Sequence, residues 1–150
     1  MFRKLIATDD DVASLILRVV TGIVFFAHGA QLALGWFGGN GFNATMQFFT
    51  QNMHIPAVFA FLAIAAQFLG SLGLIVGLLT RVAAFGIGAV MLVAAVKVHL
   101  PIGFFMNWFG NQKGEGFEYH LLAMAIAVAL MIKGGGKASI DRALSGKPRP

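Results

Sequence analysis

Four apolar stretches, each close to the length a helix needs to cross hydrocarbon, dominate this chain and hold almost no charge. A transmembrane helix takes about 20 predominantly apolar residues. Val12–Leu34 meets that length, interrupted only by Arg18, His28 and Gln31. Ala57–Leu79 holds Gln67 as its one strongly polar residue, and Val82–Leu100 carries Lys97 and His99 at its far end. Phe117–Ile132 is shorter, and is expected to borrow a turn from Glu115–Gly116 or to sit where the bilayer thins. The expected fold is all-α: an integral membrane four-helix bundle, one domain over residues 1–150.

Composition agrees. The chain is 58% hydrophobic and 11% charged, where soluble proteins average about 25% charged. Its 19 glycines and 15 phenylalanines suit lipid-embedded helices. The absence of cysteine removes disulfide relays, thiolate metal sites and cysteine-ligated iron–sulfur clusters.

The net charge of +5 is not a nucleic-acid footprint, because the basic residues sit in short loops and at the tail. Thr80-Arg81 is the whole second connection, so spans two and three form a tight hairpin. Arg3, Lys4, Arg81, Lys133, Lys137, Arg142, Lys147 and Arg149 fall on the side of the N-terminus. The opposite loops, Gly35–Pro56 and Pro101–Gly116, hold only Lys113, with Lys97 close by. Both termini are therefore expected in the cytoplasm. Trp36, Trp108 and Tyr119 mark the outer interface, as an aromatic belt does. Arg3 and Lys4 resemble the start of a signal peptide, but Asp9-Asp10-Asp11 breaks that pattern and suits a helix N-terminus. The segment reads as a retained lead-in.

The connections carry structure of their own. Phe42, Met46 and Phe49 predict a short amphipathic helix over Asn43–Met53, lying on the outer surface. Pro101–Phe109 is aromatic and can cap the bundle or dip into it. Gly73-xxx-Gly77 and Ala84-xxx-Gly88 fit close helix packing. Gly134-Gly135-Gly136 ends the last span, a short surface helix is expected over Lys137–Leu144, and the end beyond it is expected to be mobile.

Up-and-down threading brings all four histidines to the outer end. At 1.5 Å per residue His28 lies about 9 Å below the outer end of span one, and Gln67 about 15 Å below that of span two. His99, Glu118 and His120 lie at the outer rim, and Arg18 alone lies toward the inner end. Helical periodicity places His99 with Ala95, Gly88 and Ala84 on a packing face, and Gln67 with Ala63, Gly70 and Ser71 on another. Lys97 falls on the side of Val90 and Ile87, a lipid side from which it snorkels. Arg18, Gly22, Phe25, His28 and Gly29 share about a third of the circumference of span one. Glu118 and His120 cannot share a face, so at least one looks inward.

His28, Gln67, His99 and one of Glu118 or His120 can thus meet in one pocket. Imidazoles beside a carboxylate can hydrogen-bond a quinone and exchange protons with it. The same set can hold copper, zinc or iron, and two facing histidines can ligate a haem. Each residue also has a purely structural use: His28 and Gln67 as interhelical glue, Arg18 bonded to backbone, His54 solvated in its loop.

Several stretches, read in order, resemble the DoxX family of small bacterial membrane proteins. They are Arg18–Gly29 (RVVTGIVFFAHG), Gly35–Gly39, Gly70–Gly73, Gly77–Arg81, Met91 with His99, Gly103–Phe105, Gly116–Tyr119 and Gly136–Asp141. The family pattern has a glutamate where Gln67 stands, so a proton step there is lacking or moves to Glu118. The resemblance implies a multi-pass protein of the bacterial inner membrane. DoxD-type relatives are subunits of a thiosulfate:quinone oxidoreductase, the family name comes from a terminal quinol oxidase complex, and other relatives look like membrane partners of redox enzymes or of pathways making metal-binding peptides.

The expected function is a redox subunit that binds or reduces a quinone in the outer half of the bundle beside a protein partner or a second copy of itself. His28, His99 and Glu118 would exchange protons, Gln67 and His120 would orient the head group, and Phe25, Phe104 and Trp108 would wall the pocket. The alternatives are a non-catalytic membrane anchor or scaffold, a metal or haem carrier, and a small-solute permease.

Overall fold

A computed structural model of the chain describes residues 2–145. The expected mobility of the extreme C-terminus, and the charges of Lys147 and Arg149, lie outside the described residues. All regular structure among the described residues is helical. A single turn, α1 (Phe2–Leu5), leads to the first long helix, α2 (Val12–Leu34). Asp11 caps α2: its carboxylate accepts from the N–H groups of Ala13 and Ser14 and from the Ser14 hydroxyl. The Ser14 hydroxyl, then the Ala13 N–H, hold this carboxyl below the usual carboxylate range. At the other end Gly35 takes the left-handed conformation that stops the helix. Those two signals set both boundaries where the sequence places them.

Beyond Gly35, α3 (Gly41–Gln47) runs into a π-turn over Phe48–Asn52, the expected surface helix. Thr45 is its buried residue, while Phe42 is exposed and meets Phe61 edge-on. The second long helix, α4 (Ala57–Val76), stops short of the expected Leu79, because Gly77 turns left-handed at φ 69°. Leu79, also left-handed, leads into α5 (Thr80–Ala94), which continues as a π-turn over Ala95–His99. After a long loop come α6 (Glu118–Lys133) and α7 (Ile140–Ser145).

Among the described residues, three helices are long and apolar enough to cross a membrane: Val12–Leu34, Ala57–Val76 and Thr80–His99. α6 has 16 residues, short of the roughly 20 that span a bilayer core. The outer surface is apolar on all four long helices, with Val20, Phe59, Phe85 and Leu122 among the exposed side chains. The interior holds the polar groups: Ser14, Arg18, Thr21, Gln67, Ser71, Thr80 and His120 are buried. Soluble proteins reverse this pattern; a protein solvated by lipid requires it.

Glycine contacts fix the packing. A Cβ on Gly22 would collide with Ser71 and Ile75, and one on Gly29 would come within 2.6 Å of the Gln67 backbone, so α2 and α4 are antiparallel and in close contact. Gly70 and Gly86 lie against Ala83 and Ala66, which makes α4 and α5 antiparallel as well. Gly88 faces Ala127 of α6, as expected for Ala84-xxx-Gly88. The Gly73–Gly77 pair packs closely too, Gly73 against Ala83 of α5 and Gly77 against Ser139 and the Arg18 guanidinium, and it also shapes a turn. Gly77 leaves α4, and Gly73 accepts from Leu78 N–H at 2.8 Å, so the pair closes the α4–α5 turn. Ile87 corrects another expectation: it is fully buried, so the side of α5 on which Lys97 was placed is not a lipid side, although Lys97 itself is exposed. The π-turn between the two residues shifts the helical phase.

The end of the bundle near the termini is closed by buried polar contacts. Arg18, 1% exposed, donates to the carbonyls of Leu74, Ile75, Gly135, Lys137 and Ala138. Arg81 donates to Ala7, Met131 and Ile132 carbonyls. Each arginine therefore satisfies carbonyls left open at a helix C-terminus. Asp141 accepts from Leu79 and Thr80 N–H at 2.7 and 2.8 Å, capping α5 from the distant tail. Outside them, Asp10 pairs with Arg142.

Gly29→Ala is expected to lower stability by about 1–3 kcal/mol, the usual cost of overpacking. Gly70→Ala, whose Cβ would make only ordinary contacts, is expected to leave stability level or slightly higher. Thermal unfolding in mild detergent reads both.

Candidate functional site

The other end of the bundle is open, and its geometry begins with the end of α5. The Leu100 N–H bonds the Ala95 carbonyl at 2.7 Å, a π-turn that sets the direction of His99. Such turns recur at functional sites because they re-aim one side chain without ending the helix. The loop that follows folds back on itself. Phe117 and Glu118 N–H groups bond the carbonyls of Gly103 and Phe104 at 3.1 and 3.0 Å. Two carboxylates tie the returning strand of chain: Glu118 accepts from Met106 N–H at 2.8 Å, and Glu115 from Asn107 N–H at 2.7 Å. The Asn107 side-chain amide donates to the Gln112 carbonyl and accepts from the Gln112 N–H.

This loop roofs a cavity of about 430 Å³, within the usual range for small-molecule sites. Its polar lining is His28, Gln67, His99, Glu115, Tyr119 and His120. Val24, Phe25, Met91, Ala94 and Met106 form the apolar walls. Every long helix contributes. Phe25 stacks on Tyr119 with ring centroids 6.5 Å apart, across the seam between α2 and α6. Val24, His28 and Glu115 are the exposed lining residues, the first two beside that seam, whereas Gln67, Met91 and His120 form the buried floor.

The imidazoles of His99 and His120 lie 4.1 Å apart, centroid to centroid. That spacing leaves no room for an iron porphyrin between them. No group of three His, Asp or Glu side chains among the described residues is arranged to hold a metal ion. His99 Nδ1 lies 2.8 Å from the Glu115 carbonyl oxygen. The Tyr119 hydroxyl and His120 Nδ1 are buried without a hydrogen-bond partner among the described residues. Two orphaned polar groups beside one cavity are a costly arrangement, and a bound molecule with polar edges would relieve it.

The structure gathers His28, Gln67, His99, His120 and Phe25 in one place. It does not bring Glu118 there, since that carboxylate holds the roof instead. Phe104 packs edge-on against Phe105 and Phe117, Trp108 is 79% exposed, and neither lines the cavity. His54 is exposed in the loop before α4. Sequence reasoning missed Tyr119, read only as an interfacial aromatic, and Glu115, read only as a possible helix extension. Helical periodicity places Tyr119 next to the Phe25 face only once the register between α2 and α6 is known. Nothing in the sequence marks Glu115, which acts at His99 through its main chain.

An apolar exterior, a polar interior and membrane-length helices define a membrane protein in contact with lipid. Residues 13–100 match the DoxX family model, and the chain belongs to that family. It is similar to a protein of Bacillus subtilis (strain 168) named "Putative oxidoreductase CatD", with 32% identity over 120 residues, covering 80% of this chain and 79% of that one. No solved structure matches the chain.

Tyr119→Phe separates a binding role from a packing role. Removing an orphaned buried hydroxyl is expected to raise the melting temperature of the ligand-free protein, by the equivalent of about 1 kcal/mol. It is expected to weaken retention of any aromatic ligand in the cavity. Opposite signs in thermal unfolding and ligand retention identify the hydroxyl as a ligand contact.

Proposed function

We propose that this chain is an integral membrane redox subunit that binds a quinone head group in the outer half of a four-helix bundle. The observation that carries this reading is the roofed cavity. It combines three imidazoles, an amide and a phenol with Phe25 and Met walls, and leaves Tyr119 Oη and His120 Nδ1 without partners. A quinone presents the complementary chemistry: a flat apolar ring with an oxygen at each end. Reduction of a quinone consumes two electrons and two protons. His99 and His120 exchange protons at the head group, Gln67 and Tyr119 orient it, and His28 stands at the mouth. Glu118 serves the site by holding the roof. With no cysteine in the chain, the electrons come from a partner protein or a bound cofactor. The name of the Bacillus subtilis relative supports a redox role.

The mouth on the α2–α6 seam admits a ligand sideways from the membrane, which suits a lipid-soluble quinone. The opposite end of the described residues is tied by Arg18, Arg81 and Asp141, which favours a binding site over a permeation path. A scaffold role draws its support from Trp108 and Phe109, which stand 79% and 89% exposed on the outer loop.

In this reading α6 is the fourth span, its short length matched by local thinning, and residues 1–150 form one membrane domain. Arg3, Lys4, Arg81, Lys133, Lys137 and Arg142 gather at the closed end, which lies in the cytoplasm of a bacterial cell with the protein in the inner membrane.

His99→Ala and His120→Ala are each expected to reduce affinity for the reduced, quinol form about tenfold or more, one lost hydrogen bond apiece. Trp108→Ala is expected to leave it unchanged. Titration in detergent with a short-chain quinol, kept reduced, reads the effect; unaltered affinity in both histidine variants rejects the quinone site. Orientation has a separate test, since the natural chain is free of cysteine. In intact spheroplasts, a membrane-impermeant maleimide is expected to label Asn40→Cys and Lys113→Cys but not Lys137→Cys.

A further inference from the structure

We infer that Glu115 is a positioning residue: it holds His99 as the Nδ1-protonated tautomer, leaving Nε2 as a hydrogen-bond and proton acceptor for a ligand in the cavity. The use of that acceptor rests on the quinone-site reading, whereas the tautomer does not.

The argument starts from a 2.8 Å contact between His99 Nδ1 and the Glu115 carbonyl oxygen. A carbonyl oxygen can only accept, so the hydrogen between them belongs to Nδ1. A neutral imidazole carries one ring hydrogen, and Nε2 is then left with its lone pair. An unconstrained histidine favours the other tautomer, so the main chain at position 115 overrides the intrinsic preference. The ring of His120, 4.1 Å away, restricts rotation of His99 out of this contact.

What holds the main chain at that point is the second half of the argument. The Glu115 side chain is exposed, and its carboxylate accepts from Asn107 N–H at 2.7 Å across the roof. The next residue, Gly116, bonds the Phe105 carbonyl at 3.1 Å and has no space for a Cβ against Phe104 and Phe105. One residue therefore ties the roof through its side chain, beside the Glu118 contact, and fixes the His99 tautomer through its carbonyl. Loss of roof closure releases Nδ1, and His99 reverts to offering a hydrogen where it had accepted one. A ligand hydroxyl is favoured opposite Nε2 in the closed state, and a ligand carbonyl in the released state.

The test is nitrogen NMR of histidine-labelled protein in lipid nanodiscs, with His99→Gln assigning the His99 signals among the four histidines. The wild type is expected to show His99 protonated at Nδ1 and bare at Nε2. Glu115→Gln keeps an acceptor oxygen for Asn107 and is expected to preserve that state. Glu115→Ala is expected to shift His99 toward the Nε2-protonated form, from a minor to a major population, with an unchanged melting temperature. Wild-type protein found mainly as the Nε2-protonated tautomer overturns the inference. So does a Glu115→Ala spectrum identical to wild type. Neither readout involves a quinone, so wild-type protein that shows the tautomer yet binds no quinone rejects the functional reading alone.

Discussion

The structure depends on the guanidinium of Arg18, buried at the closed end among five main-chain carbonyls. A helix that ends at membrane depth leaves carbonyls that water would otherwise satisfy. α4 ends beside Arg18 and the chain after α6 passes it, and one planar group with donors in a fixed fork serves both. A lysine offers fewer donors and no fork. The contact ties α2 to α4 and to the tail, and Asp141, placed by that tail, in turn caps α5. The main-chain N–H groups of Lys137 and Asp141, donating to the Asp11 and Gly77 carbonyls, complete the knot. Arg81 repeats the principle at the end of α6.

With one end tied, the other can remain partly unsatisfied. Beyond the Glu115 carbonyl and the His120 ring against His99, the polar groups of the cavity are held by the frame: Gly29 sets Gln67 by contact between backbones, the π-turn sets His99, and the returned loop sets the roof. This division fits a general trade, in which a site carries strain or unmet hydrogen bonds while the frame elsewhere is over-determined. Leaving Tyr119 Oη and His120 Nδ1 without partners is tolerable in a frame of this kind.

Much of this was legible in the sequence, and what was not has definite physical causes. Val12–Leu34 could be read to the residue, since Asp11 and Gly35 are local signals that nothing distant overrides. The second span was read too long because hydropathy continues through Leu78-Leu79, whereas the backbone turns at Gly77. The meeting of His28, Gln67, His99 and His120 needed only the threading of the chain, which composition and span length supply. Glu118 and Glu115 could not be told apart, because the fold of the outer loop rests on hydrogen bonds between main chain and carboxylates that have no periodic signature. The side of Ile87 was misjudged for a related reason, as no residue pattern announces the π-turn that shifts the phase of α5.

The mouth beside Val24 and His28 has a consequence for what sets occupancy. A hydrophobic guest arriving through that gap is drawn from the two-dimensional pool dissolved among the acyl chains, not from bulk water. Its effective abundance is a mole fraction relative to phospholipid, and a long isoprenoid substituent can remain outside among its own kind while only the ring enters. Saturation would then follow the lipid composition of the host cell, and assays that dilute detergent would mimic starvation of the guest.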